Sequence, residues 1–259
     1  MERSQETIAK ERAFFENYLH RLTPKQKQIY EFCVARMEEN ADFMAHVARY
    51  NTCEHDAIAD NMYQTVNYKM CLARTAPRFE LSGILESAPM TIFDIGCGQG
   101  YFSYIARISG HTVYSLDLAD IARDKPIFHS AQQALKLNMF YHTIRPFTPL
   151  PALPSPCSLI VAFQPHFYNP CESQYYNPSC KESFWHVPEW RYFLQDLTRL
   201  AAPEGRIFFD LNKVQARPEL YGFGCEETRD FFLACGARWE RSRVFFDSVA
   251  ELKQRILTA

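Results

Sequence analysis

Glycine is scarce in this chain, nine residues in 259. Against that background, a local cluster of glycines marks backbone that needs positive φ or an unusually close neighbour. Clustered cationic residues are missing too: net charge is −2, 22% of residues are charged, and no long run of lysine and arginine occurs. Phosphate binding needs such clusters, so a nucleic-acid partner is not expected. No stretch approaches the roughly 18 apolar residues of a membrane span. The N-terminus is charged and polar, without the apolar core of a secretory signal, so neither a membrane partner nor secretion is expected. The nine cysteines lack the tight paired spacing of a zinc site; Cys157, Cys171, Cys180 and His186, though grouped, do not supply it. Their odd number and irregular spacing point to reduced thiols in the cytoplasm, with no metal.

The chain is long enough to bury a sizeable core, as one large domain or one domain with an appendage. Up to about residue 78, apolar residues recur at helical spacing: Ile8, Phe14, Phe15, Tyr18, Leu19 and Leu22, then Ile29, Phe32, Cys33 and Ala35 after a cap-then-proline start at Thr23-Pro24. Ile58, Met62, Val66, Met70 and Leu72 predict a further helix from about Asp56 to Arg74, ended by Pro77. Strand-like alternation is absent before Thr91, so residues 1–88 are expected to form an all-helical cap. From Thr91 the pattern repeats as strand, turn and helix. Strands are expected at 91–95, 112–117, 139–144, 158–163 and 205–211, and helices near 100–109, 126–138, 187–202 and 225–235. The fourth strand is continuously apolar, as befits a strand covered on both faces. Alternation of this kind predicts an α/β fold: a doubly wound, mostly parallel sheet with helices on both faces, binding ligands beyond the carboxyl ends of its strands.

Three of the nine glycines fall within five residues, in Phe93-Asp94-Ile95-Gly96-Cys97-Gly98-Gln99-Gly100. A strand that ends in such a turn and opens a helix makes a side-chain-free shelf for a nucleotide-like ligand. The dinucleotide fingerprint G-x-G-x-x-G would place the third glycine one residue later and an acid about twenty residues on. Here an acid, Asp94, stands two residues before the first glycine. A second, Asp117, closes the β-prone run His111–Asp117, where a carboxylate can accept both hydroxyls of a ribose.

Asp94 to Gly100, taken with Asp117, closely resembles the class I S-adenosylmethionine-dependent methyltransferases. The resemblance covers about residues 90–247 and implies a Rossmann-like cofactor domain over 89–259, with S-adenosyl-L-methionine as cofactor. It implies that Asp94, Gly96, Cys97, Gly98 and Gly100 attend the methionine end and that Asp117 holds the ribose. The family holds adenine just after the third strand, often with an acid. Arg145 to Pro151 offers no acid there, which leaves backbone groups and Phe147. The family ends its sheet with an antiparallel hairpin. Only one strand, about 237–246, is evident here, so either the last strand is missing or 237–247 is bent into both.

Beyond strand four, Gln164-Pro165-His166-Phe167 loosely resembles the Asp/Asn-Pro-Pro-Phe/Tyr motif of methyltransferases acting on planar amino groups. The resemblance places Gln164 at the cofactor and Phe167 and Tyr168 at the substrate. His166, standing where the motif has its second proline, becomes a general base or substrate-orienting group. Residues 164–186 form an aromatic insertion long enough to be functional, or one whose rings pack the loop down. Tyr63 and Tyr68 are candidates for a lid, or for the helical core. The implied activity is methyl transfer to an oxygen or nitrogen of a small molecule. The alternatives are a non-catalytic cofactor-binding protein and a methyltransferase acting on protein or RNA.

Overall fold

A computed structural model describes residues 15–51, 67–165, 184–211 and 225–259, together with residues 13, 65, 167 and 223. The chain divides into two compact units: residues 1–89, 98–111 and 120–138 in one, and 90–97, 112–119 and 139–259 in the other.

The second unit holds a seven-stranded sheet in the order β3-β2-β1-β4-β5-β7-β6. The strands are β1 (Thr91–Ile95), β2 (Thr112–Asp117), β3 (Met139–Tyr141), β4 (Cys157–Phe163), β5 (Ala201–Asp210), β6 (Arg238–Glu240) and β7 (Arg243–Phe246). The first five run parallel and β7 enters antiparallel between β5 and β6. The order runs outward in both directions from the neighbours β1 and β4, and such a switch point opens a crevice beyond the strand ends. The doubly wound, mostly parallel sheet read from the sequence is therefore present.

Several boundaries differ from the sequence reading. Strand three stops at Tyr141 rather than at residue 144. Strand five begins earlier, at Ala201, through a register shift opposite Cys157 that Gly205 permits: a Cβ there would lie 2.8 and 2.9 Å from two backbone oxygens. The antiparallel hairpin is complete, because residues 238–246 divide at Arg241-Ser242 into β6 and β7.

The core of this unit is aromatic. Trp190, on helix α7 (Val187–Leu200), has ring neighbours in Phe167, Trp185, Phe193, Phe209 and Phe232 at centroid distances of 4.7–6.5 Å. Helix α8 (Glu226–Ala234) supplies Phe232, and α9 (Val249–Arg255) adds Val249 and Leu252 to the same cluster. Burial of this kind contributes about 1.5–3 kcal/mol per large side chain.

The first unit is helical among its described residues. Thr23 caps α1 (Pro24–Glu38) in a reciprocal box with Gln26, and Pro24 at the first helical position needs no hydrogen-bond donor. Ile29, Cys33 and Met37, four residues apart, are its buried stripe. Helix α2 (Ala41–Asn51) follows. Helix α3 (Tyr68–Ser82) corrects the expectation for Pro77, which lies inside it rather than after it. The missing N–H removes a single bond, to the Ala73 carbonyl, and the buried face carrying Ala76, Pro77 and Phe79 outweighs that loss. Gly83, at φ +68°, is the actual stop. The expected helix start near Asp56 lies outside the described residues. Helices α4 (Tyr101–Ile108), α5 (Ile121–Asp124) and α6 (Pro126–Ala134) complete this unit and are the crossovers that connect β1 to β2 and β2 to β3. Phe102 of α4 stacks on Phe79 at 4.7 Å.

Candidate cofactor site

The site is built at the carboxyl ends of β1, β2 and β4. Asp94, 2% exposed, sits near the end of β1. The chain then turns: Gly96 and Cys97 both donate their backbone N–H groups to the Leu116 carbonyl, at 2.8 and 3.1 Å. This shared acceptor fastens the first half of the turn beside the last residue of β2, Asp117. The Asp117 carbonyl in turn accepts from the His142 N–H at 2.8 Å, so its backbone is held by the neighbouring strand connection. One carboxylate oxygen, Oδ1, accepts the N–H of Leu118 at 2.8 Å, and the Cys97 thiol lies 3.9 Å from Oδ2. Asp117 is thus a carboxylate on rigid backbone, 8% exposed, at the end of a parallel strand.

Cys97 is not a nucleophile in this setting. Burial, then the negative charges of Asp117 and Asp94, push its thiol well above the ordinary cysteine range. At neutral pH it remains S–H, and the thiolate is the reactive form. Its sulfur lies 4.0 Å from the Met139 sulfur. Tyr141, paired in register with Asp117, is held above the ordinary tyrosine range by burial and by Cys97 and Asp117. Met139 and Tyr141 thus belong to the surroundings of Asp117, although the sequence reading assigned them no role. Only the β2–β3 register reveals them.

The strand-four side of the site is strained. Gln164 adopts φ +57°, rare for a side chain with a Cβ, and its N–H donates to the Asp210 carbonyl at 2.6 Å. Asp210 is fixed in turn by the Ser242 hydroxyl at 2.7 Å, a contact the C-terminal hairpin provides. The next residue, Pro165, closes over the glycine turn: a Cβ on Gly96 would lie 3.4 Å from the Pro165 Cβ. Gly96 therefore answers both the positive φ of +70° and a close neighbour.

The second half of the turn belongs to the helical unit. Gly98 and Gly100 have φ +58° and +82°. The Gly98 carbonyl accepts from Gln132 Nε2 at 2.6 Å. Gln99, between the two glycines and 3% exposed, accepts through Oε1 from Thr65 at 3.0 Å and from the Tyr101 hydroxyl. A Cβ on Gly100 would stand 2.1 Å from Leu137 Cδ1. Gly100→Ala should therefore destabilise the fold by about 1–3 kcal/mol, since left-handed backbone alone costs a residue with a Cβ about 1–2 kcal/mol. Chemical denaturation would show this as a lowered midpoint at unchanged slope. An unchanged midpoint would mean the turn relaxes freely.

Other sequence candidates are placed differently. Phe167 is 8% exposed with its ring in the aromatic core, 5.1 Å from Trp185 and 4.7 Å from Trp190. Phe147, 56% exposed at φ +56°, packs edge-on against Tyr192 at 5.7 Å. It borders a groove of about 460 Å³ lined also by Val187, Pro188, Arg191, Gln195 and Glu227. Tyr68 is buried, its hydroxyl donating to Glu38 at 2.9 Å, and so belongs to the core of the helical unit. His166, Tyr168 and Tyr63, and with them most of the aromatic insertion, lie outside the described residues. Among the described residues no cluster of histidine, cysteine and acidic side chains could hold a metal ion, and no helix is long and apolar enough to cross a membrane.

No family model matches the chain, and no curated protein sequence does. Solved structures that align with part of it include a TehB-like SAM-dependent methyltransferase from Corynebacterium glutamicum. That pair is 18% identical over 56% of this chain and 70% of the other, with a TM-score of 0.34. Two others are DesVI from Streptomyces venezuelae (13% identical, 54% and 50% covered, TM-score 0.35) and CalS10 from Micromonospora echinaspora (16% identical, 61% and 59% covered, TM-score 0.37). The last is a SAM-bound amino pentose methyltransferase. This chain spans about half the length of DesVI and somewhat more of CalS10.

Proposed function

We propose that this chain is an S-adenosylmethionine-dependent methyltransferase acting on an oxygen or nitrogen of a small molecule. The observation that carries the reading is the fastening of the glycine turn to the end of β2: two turn amides share the Leu116 carbonyl, and Asp117 follows at once. A carboxylate there suits the paired hydroxyls of a ribose. The turn beside it carries no side-chain bulk at Gly96, Gly98 and Gly100, where the backbone itself is left-handed. The residues fit the cofactor: Asp117 would hold the ribose, and Gly96 and Cys97 would lie along its methionine end under Pro165.

When bound, the cofactor supplies a methyl group already activated by a sulfonium, so the chain's task is alignment, exclusion of water and, for some acceptors, custody of a proton. Rigid backbone serves alignment. Leu116, Asp117 and Gln164 are each fixed through their backbone by hydrogen bonds across neighbouring strands. The strain stored at Gln164 fits a loop that must present its backbone to a ligand. His166 and Tyr168 remain candidates for acceptor contacts in this reading, as does the cytoplasm for location.

The test is transfer of label from methyl-tritiated S-adenosylmethionine into host extract separated by size. We expect label in the small-molecule fraction. Label in protein or RNA would overturn the acceptor class, and absence of label together with tight cofactor binding would favour a non-catalytic role.

A further inference from the structure

The groove beside Phe147 lies wholly within the second unit. Pro188, Arg191, Tyr192 and Gln195 stand at i, i+3, i+4 and i+7 of α7, so one face of that helix lines it. Phe147, from the connection between β3 and β4, and Glu227, from α8, line it as well.

The segment that carries Phe147 is clamped to α7. The Leu150 N–H donates to Asp196 Oδ2 at 2.6 Å, Arg199 Nη2 donates to the Leu150 carbonyl at 2.9 Å, and Arg199 pairs with Asp196 at 2.8 Å. Within that segment Phe147 holds φ +56° while more than half of its surface stays exposed. Left-handed backbone at a bulky residue is a cost met at ligand clamps and switches, and here it presents a ring to solvent. Arg191 is fixed too: Nη1 donates to the Ile256 carbonyl at 2.6 Å, and the guanidinium lies 4.8 Å over the Phe231 ring. Those contacts position its charge without neutralising it. Glu227, exposed in the first turn of α8, has no hydrogen-bond or ion-pair partner among the described residues. Opposite charges thus line one groove without pairing with each other, beside an apolar surface to which Phe147, Val187 and the Tyr192 ring contribute.

We infer that this groove binds a small organic zwitterion, an amine and a carboxylate on one apolar or aromatic body, as in a free amino acid with a large apolar side chain. Arg191 takes the carboxylate, Glu227 the ammonium, and the rings of Phe147 and Tyr192 the body. The volume, about 460 Å³, falls within the range of about 300–1,000 Å³ usual for small-molecule sites. The two charges sum to zero, as do those of a zwitterion. A simple anion meets Glu227, a simple cation meets Arg191, and an apolar protein segment leaves both without partners. Neither Arg191 nor Glu227 is among the residues proposed to hold S-adenosylmethionine, so the two sites stand or fall separately.

Nitrogen-15 NMR titration of the full chain with L-tryptophan, L-phenylalanine and L-leucine tests this. At least one should move the amides around Arg191 and Glu227 with a Kd below about 5 mM, the modest affinity that solvent-exposed charges allow. Analogues of that amino acid lacking the amine or the carboxylate should each bind at least about threefold more weakly. Glu227→Gln should weaken the amino acid by a similar factor and leave the analogue without the amine within about twofold, a difference that a merely structural Glu227 would not produce. Its affinity for S-adenosylhomocysteine should stay within about twofold of wild type. No saturable shift with any of the three up to about 10 mM would overturn the proposal. So would equal binding of the analogues, or an unchanged Kd in Glu227→Gln. A dimer in sedimentation that Phe147→Ala dissolves would make the groove an interface between copies, and would overturn it too.

Discussion

Asp117→Ala is expected to weaken binding of S-adenosylhomocysteine by roughly 30- to 1000-fold. Hydrogen bonds to a charged acceptor contribute about 1.5–3 kcal/mol each. Two ribose hydroxyls on one carboxylate, discounted for the water that replaces them, amount to about 2–4 kcal/mol, and each 1.4 kcal/mol is tenfold in affinity. The backbone around Asp117 is held by the Leu116 and Asp117 carbonyls rather than by its side chain, so the turn should survive the change. The side chain's bond from the Leu118 N–H is lost in Ala but can be kept in Asp117→Asn, which removes only the charge. That variant should fall between Ala and wild type. Calorimetry checks both, and undiminished affinity in Asp117→Ala would place the ribose elsewhere.

Trp190→Ala should destabilise the chain by about 3–5 kcal/mol, the range for removing a large aromatic side chain from a packed core. Trp190 is 1% exposed and has five ring neighbours among the described residues: Phe167, Trp185, and one ring each from α7, α8 and β5. A cavity ringed by other rigid rings collapses poorly, which puts the cost at the upper end. Total stabilities are about 5–15 kcal/mol, so the variant would keep only part of its folded population under mild denaturant. A urea midpoint lowered at constant slope is the expected result. A loss under about 1 kcal/mol would mean that the cluster repacks and that the unit is not held together there.

The parts of this molecule most legible in the sequence were those whose physics is local. The glycine turn shows itself because positive φ at positions 96, 98 and 100 demands glycine, and glycine is otherwise rare. Thr23, Pro24 and Gln26 announce the start of α1 through residues three apart. The hairpin of β6 and β7 was half hidden because its two-residue turn is Arg241-Ser242, with Arg241 at φ +59° in place of the usual Asn or Gly. Pro77 misled because the rule for proline is local, while the packing that carries α3 past it is not. The early start of β5 depends on a register shift opposite Cys157 and on the close backbone neighbours of Gly205, which no local pattern shows.

At the site the same division holds. Asp94 and Asp117 follow from position within a strand-turn-helix pattern. Met139 and Tyr141 follow only from the register of β3 on β2. Phe167, expected at the substrate, illustrates the same division. An aromatic residue in a loop looks available for ligand, but the ring neighbours from α7 and β5 take its surface.

The central claim is the identity of the cofactor, and equilibrium binding by calorimetry tests it most directly. The account predicts that the wild-type chain binds S-adenosylmethionine or S-adenosylhomocysteine at a single site and shows no heat with NAD. Binding of NAD without either adenosyl thioether would contradict it, and would make the turn at Gly96 to Gly100 a pyrophosphate shelf after all.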